Sequence, residues 1–95
     1  MTLFQFCDKI NANLLIVRRT KIIIDTLGKS KSYYCCIEHA AIKEGIFLKG
    51  EYGNGRTVKD AAISYIRLIK GKHLVLYSML KTFRKEYIVP KDLCL

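Results

Sequence analysis

Acidic residues are scarce in this sequence: 8 Asp and Glu stand against 17 Lys and Arg in 95 residues, a formal charge of +9. That shortage excludes a DNA mimic, which must be acidic to compete with phosphate for a basic channel. Tryptophan is absent and there is one proline. With 51% hydrophobic residues the chain is not a disordered tail, because disorder needs low hydrophobicity together with high charge. No apolar run approaches the roughly 18 to 20 residues of a membrane span, since Arg18, Arg19 and Lys21 interrupt the longest one, Leu14 to Ile24. Met1 to Ile10 alternates polar and apolar residues instead of placing basic residues ahead of an apolar segment, so no secretory signal is expected. These absences predict a cytoplasmic protein with no membrane partner, and the length allows one domain, residues 1–95.

Cys7, Cys35, Cys36 and Cys94 form neither a CxxC pair nor a Cys/His zinc pattern. They read as free thiols in a reducing compartment, and no metal or cofactor is expected. The two histidines, His39 and His73, fall in predicted strands without paired carboxylates beside them, and no nucleophile or phosphate-loop motif is present. The expectation is a protein without enzymatic activity.

Thr2 is a candidate N-cap, and Leu3, Phe6, Cys7 and Ile10 fall at helical spacing, which predicts a short amphipathic helix over residues 3–12. The β-branched stretch from Leu14 to Asp25 predicts a strand broken near Arg19, and Gly28 to Ser32 predicts a turn. Tyr33 to Ala41 and Ile46 to Tyr52 then read as an antiparallel hairpin turning at Lys43 to Gly45. Gly53-Asn54-Gly55 reads as a turn into the clearest element, a helix over residues 57–70. Thr57 caps it, Val58, Ala61, Ala62, Tyr65 and Ile69 make its apolar stripe, and Gly71 stops it. His73 to Ser78 and Phe83 to Pro90 predict two last strands. The expected fold is α+β: an antiparallel sheet of four or five strands carrying the main helix, with the short helix at an edge or on the other face.

Charge is uneven. Residues 1–32 carry six basic and two acidic side chains, residues 33–64 four of each, and residues 65–95 seven and two. The excess becomes one patch if the two ends of the chain lie together, and a solvated shell otherwise. The basic residues are Arg18, Arg19, Lys21, Lys29 and Lys31 near the front and Arg67, Lys70, Lys72, Lys81, Arg84 and Lys85 near the back. Arg56 and Lys59 flank the start of the main helix, where free amides attract phosphate or carboxylate. Eight of these, Arg18, Arg19, Arg56, Lys59, Arg67, Lys70, Arg84 and Lys85, are the candidate contacts to nucleic acid or a phosphate-bearing ligand. A second candidate is a sheet face carrying Tyr34, Cys36, Phe47 and Lys49, joined by Val75 and Tyr77. It reads as a stacking platform for single strands, as core under the first helix, or as a self-association surface. In the last case Tyr34, Phe47 and Tyr77 would form a homodimer interface.

The run Gly55-Arg56-Thr57-Val58-Lys59-Asp60-Ala61, entered from a hairpin and opening a helix, resembles the G-D-T-x-x-E-A junction of HicB-type antitoxins. Gly55, Thr57 and Ala61 match and Asp60 supplies the acidic residue, while Arg56 stands where the family has Asp. The likeness spans residues 33–78. HicB-type proteins join this module to a DNA-binding segment, which nothing after Pro90 resembles, so repressor activity is not expected, and a toxin-like or other protein partner stays open. The whole chain, with its GxYGxGxT turn, IKGKxLV strand and VP ending, also resembles small uncharacterised proteins of bacteriophages and prophages, which implies a bacterial host cytoplasm. Two functions follow as expectations: a phage-type binding protein that contacts nucleic acid or a phosphate-bearing ligand, or an antitoxin-like or host-defence inhibitor that occludes an acidic partner protein.

Overall fold

The computed structural model describes residues 1–23 and 28–95, with side chains described in residues 1–18 and 32–95. In chain order the elements are α1 (Leu3–Lys9), β1 (Leu14–Ile23), β2 (Gly28–Ile37), β3 (Ala40–Glu44), β4 (Phe47–Lys49), β5 (Gly53–Gly55), α2 (Val58–Ile69), β6 (His73–Leu76) and β7 (Lys85–Ile88). The fold is α+β with one main helix and a short N-terminal one. All pairing between these strands is antiparallel, and it divides into two sheets, of order β1-β2-β5 and β4-β3-β6-β7.

The division happens at a corner. β2 ends at Ile37, and His39 takes a φ of 62° before β3 begins at Ala40. A non-glycine residue in the left-handed region turns the chain sharply, so the expected single strand Tyr33 to Ala41 is two strands in two sheets. The expected hairpin about Gly45 exists as β3–β4, with Glu44 opposite Phe47 and Gly45 at φ 59°. Glycine first in a two-residue loop meets that positive φ without strain. The Tyr33–Ile37 part of the expected hairpin pairs instead with β1, and Tyr33–Cys35 also with β5.

Three further expectations are corrected. β1 is unbroken at Arg19, and Gly28 to Ser32 is strand, not turn: the ladder runs continuously from Leu14↔Ile37 to Ile23↔Gly28. Turn-prone composition yields there to long-range pairing, which outweighs local strand propensity. Gly53-Asn54-Gly55 is likewise the third strand of the first sheet. Its glycines are required by packing, because a Cβ on Gly53 would strike the Tyr65 nitrogen and Ala61 oxygen, and one on Gly55 the Ala61 nitrogen. α2 therefore rests its backbone directly on β5.

Both helices are capped as the sequence indicates. In α1 the Gln5 amide donates to Thr2 Oγ1 at 3.1 Å and the Thr2 amide to Gln5 Oε1 at 2.9 Å, a reciprocal capping box. In α2 the Asp60 amide donates to Thr57 Oγ1 at 3.0 Å, and Gly71 leaves the helix at φ 74°. α1 ends at Lys9, short of the expected residue 12, with Asn11 at φ 55° in the turn that leads to β1.

One cluster of buried residues draws on both sheets and both helices. Leu3, Phe6, Cys7 and Ile10 of the α1 region meet Cys35 and Ile37 of β2, Ala61, Ala62, Tyr65 and Ile69 of α2, Ile42 of β3, Leu74 and Leu76 of β6, and Val89 and Leu93. The termini adjoin, since the Leu3 amide donates to Cys94 O at 2.7 Å and the Cys94 amide to Met1 O at 3.1 Å. Among the described residues no helix is long and apolar enough to cross a membrane.

Candidate nucleic-acid interface

α2 buries Ala61, Ala62, Tyr65, Ile66 and Ile69, which leaves its other side to solvent. Lys59, Ile63, Arg67 and Lys70 follow at spacings of four, four and three residues, so they line one stripe along the helix. Lys59, Arg67 and Lys70 are exposed, as is Arg56 just ahead of the cap. Arg18 is exposed in β1, in register with Tyr33. Arg19 lies next in the same strand, opposite Ser32, and its side chain lies outside the described ones. Lys21, Lys29 and Lys31 belong to the same ladder, in register with Ser30, Ile22 and Thr20. All three stand among the front cations named from the sequence, but Lys29 and Lys31 were expected in a turn and lie in β2.

Carboxylates divide these cations into two groups. On the second sheet Glu86 lies 2.9 Å from His73 Nε2, 3.6 Å from Lys43 Nζ and 3.7 Å from Arg84 Nε. Lys72 pairs with Glu44 at 3.6 Å and Lys49 with Glu51 at 3.2 Å. Exposed pairs of this kind add little stability, but they offset part of the local positive charge. Among the described residues, no carboxylate lies within ion-pair distance of Arg18, Arg56, Lys59, Arg67, Lys70 or Lys85. Lys9, Lys81 and Lys91 likewise have no such partner, so the unpaired charge includes a run from Arg56 along α2 and Arg18 on β1, with Lys9, Lys81, Lys85 and Lys91 apart from it. The front cations lie in β1 and β2; of the back cations Arg67 lies in α2 and Lys85 in β7, while Lys70, Lys72, Lys81 and Arg84 lie in the connections beside α2, β6 and β7.

The aromatic platform is not assembled. Tyr34 lies in the first sheet, edge-on to Tyr52 with ring centroids 6.1 Å apart, while Phe47 and Lys49 lie on β4 of the second. Val75 is buried, and Tyr77, at φ 54°, stacks on His39 at 5.0 Å beyond the end of β6. The corner at His39 separates residues that one continuous hairpin would have placed together. Tyr34, Phe47 and Tyr77 therefore do not share a single face. Each histidine has a single carboxylate neighbour: Glu38 lies 3.5 Å from His39 and Glu86 beside His73. His39 is at the corner and not in a strand.

A cleft of about 510 Å³ opens between α1 and β1, lined by Phe4, Cys7, Asp8, Ala12, Asn13, Leu14 and Ile16. Its single charged group is the Asp8 carboxylate, which disfavours a phosphate there. Burial raises the Cys7 thiol to about 11, with Asp8 adding to the shift, and raises Cys35 to about 12, with Cys36 and Cys7 adding. Such thiols stay protonated and are poor nucleophiles at neutral pH. Among the described residues no group of three or more His, Cys, Asp or Glu is placed to hold a metal ion. Comparison of the chain with family models, with curated proteins and with solved structures finds no match in any of the three.

Proposed function

We propose that this is a non-enzymatic nucleic-acid-binding protein whose phosphate contacts come from the outer stripe of α2 and from the β1–β2 ladder. The observation that carries this reading is the unpaired charge on α2 and β1: Arg18, Arg56, Lys59, Arg67 and Lys70 have no described carboxylate within ion-pair distance, whereas Lys43, Lys49, Lys72 and Arg84 each have one. Clustered, uncompensated Lys and Arg displace counterions from a phosphate backbone and so bind it in a salt-sensitive, sequence-independent way. The resemblance to small phage and prophage proteins accords with a bacterial cytoplasm, where nucleic acid is at hand.

The test is fluorescence anisotropy of a labelled 20-base-pair duplex against protein over a salt series. Binding should weaken steeply with salt, and each phosphate contact removed should flatten the log-log slope by about 0.9. Arg67→Glu with Lys70→Glu should lower affinity at least tenfold and flatten the slope, whereas Arg84→Glu, already offset by Glu86, should change both little. Absence of binding at low salt, or equal loss in the two variants, would refute the assignment.

A second reading, a protein-interaction module, is favoured by exposed apolar residues at two loops. Ile46 and Phe47, 91% and 71% exposed, stand at the β3–β4 turn, and Met79, Leu80 and Phe83 stand between β6 and β7. A partner protein or a second copy of the chain would cover them. Under this reading Phe47→Ser would abolish a high-salt-resistant partner band or a dimeric mass by light scattering, and leave duplex binding intact.

A further inference from the structure

The first sheet is three strands wide only where β5 pairs with β2, over Tyr33–Cys35. Beyond Arg18↔Tyr33 the β1–β2 ladder continues for five more pairs, Arg19↔Ser32 to Ile23↔Gly28, and among the described residues no third strand joins it there. At about 3.3 Å per residue this two-stranded part spans about 17 Å. The shape of the molecule agrees: its radius of gyration is 14.7 Å and its longest dimension 48 Å against 27 and 22 Å for the others, whereas a compact chain of this length has a radius near 12 Å.

The composition of that extension is as distinctive as its shape. Its ten paired residues include Arg19, Lys21, Lys29 and Lys31, the hydroxyl residues Thr20, Ser30 and Ser32, and no acidic residue, Asp25 lying in the stretch between the two strands. No cation sits directly opposite another, since Arg19 pairs with Ser32, Lys31 with Thr20, Lys21 with Ser30 and Lys29 with Ile22. Staggering avoids the cross-strand repulsion of like charges placed face to face and spreads four positive charges over both strands. Edge-to-edge pairing with a second copy would set those charges against each other, which disfavours a dimer through this ribbon.

We propose that the β1–β2 ribbon is an arm that enters the major groove of B-form DNA, an inference that rests on the nucleic-acid-binding reading above. A two-stranded ribbon fits the roughly 12 Å wide major groove of B-DNA, whereas the major groove of an A-form RNA duplex is too narrow and deep to admit it. Lysine and arginine supply phosphate and guanine contacts, and the hydroxyls add short-range donors and acceptors. The arm therefore selects duplex DNA, while the α2 stripe contributes phosphate affinity common to any nucleic acid.

The experiment compares affinities for a 20-base-pair DNA duplex, an RNA duplex of the same sequence and single-stranded DNA with the same number of phosphates. The expected result is at least tenfold preference for duplex DNA, lost in the variant Arg19→Ala, Lys21→Ala, Lys29→Ala, Lys31→Ala whose folding is checked by circular dichroism. Methylation of guanine N7, which blocks the major-groove edge, should weaken binding by the unsubstituted protein several-fold, and this readout needs no variant. Equal affinity for the three ligands with no effect of methylation would overturn the arm and leave nucleic-acid binding standing. Binding to none of them would remove both.

Discussion

The buried Tyr65 hydroxyl accepts the Ile37 amide at 3.0 Å and so takes the place of a strand. β5 pairs with β2 only as far as Gly53↔Cys35, and Ile37 lies two residues further on, with no β5 residue opposite it. Left alone, that buried amide would be unsatisfied, at a cost of roughly 1 to 3 kcal/mol. The bond also anchors α2 at the end of β2, immediately before the corner where the chain changes sheets.

Tyr65→Phe should therefore destabilise the protein by about 1 to 3 kcal/mol, since it keeps the ring but orphans the amide. In a domain of this size each kcal/mol lowers Tm by about 4 to 8 °C, so thermal denaturation followed by circular dichroism measures it directly. An unchanged Tm would show that the helix is held to β2 by packing alone.

The elements most legible in the sequence were those whose signals are local. Thr57, the alanine pair and Gly71 delimit α2 almost to the residue, and the spacing of Lys59, Ile63 and Arg67 sets them on its side away from the apolar stripe. The ladder of residues 14–37 was less legible because Gly28 to Ser32 has the composition of a turn and its partners lie upstream in the chain. The corner at His39 and the approach of Lys43 to Glu86 depend on contacts between distant segments, which periodicity does not encode. Gly53 and Gly55 read as a turn because glycine usually marks one; here it marks a helix backbone lying against a strand.

Gly53→Ala and Gly55→Ala should each be severely destabilising, because the added Cβ would meet α2 backbone atoms, which have no rotamer to move into. Gly50→Ala is the control: its Cβ would have nothing within 4 Å, and it should fold normally. Soluble yield and urea midpoints of the three variants decide this. Similar behaviour of Gly53→Ala and Gly50→Ala would mean that α2 does not press on β5.

Thr57→Ala should cost about 0.5 to 2 kcal/mol through loss of the bond from the Asp60 amide. A smaller loss is expected for Thr57→Asp, whose carboxylate can accept the same hydrogen bond and also favours the positive end of the helix. Equal stability of Thr57→Ala and the unsubstituted protein would place the helix start elsewhere.

The buried thiols predict an alkaline limit to stability. Cys7 and Cys35 are raised from the ordinary value of 9.0 to about 11 and about 12, chiefly by burial. Between pH 9 and 12 the unfolded thiols have released protons that the folded ones retain, so the unfolded state binds fewer protons and stability falls as pH rises. The contribution is complete below pH 9 and is lost as pH climbs through the folded values. Cys7→Ala with Cys35→Ala should lower stability at pH 7 by removing packed atoms, yet flatten its decline from pH 9 to 11. In the unsubstituted protein at pH 8, iodoacetamide should label exposed Cys94 first and leave Cys7 and Cys35 unmodified until denaturant is added. Prompt labelling of Cys35 in the native protein would contradict its burial between β2 and the helices.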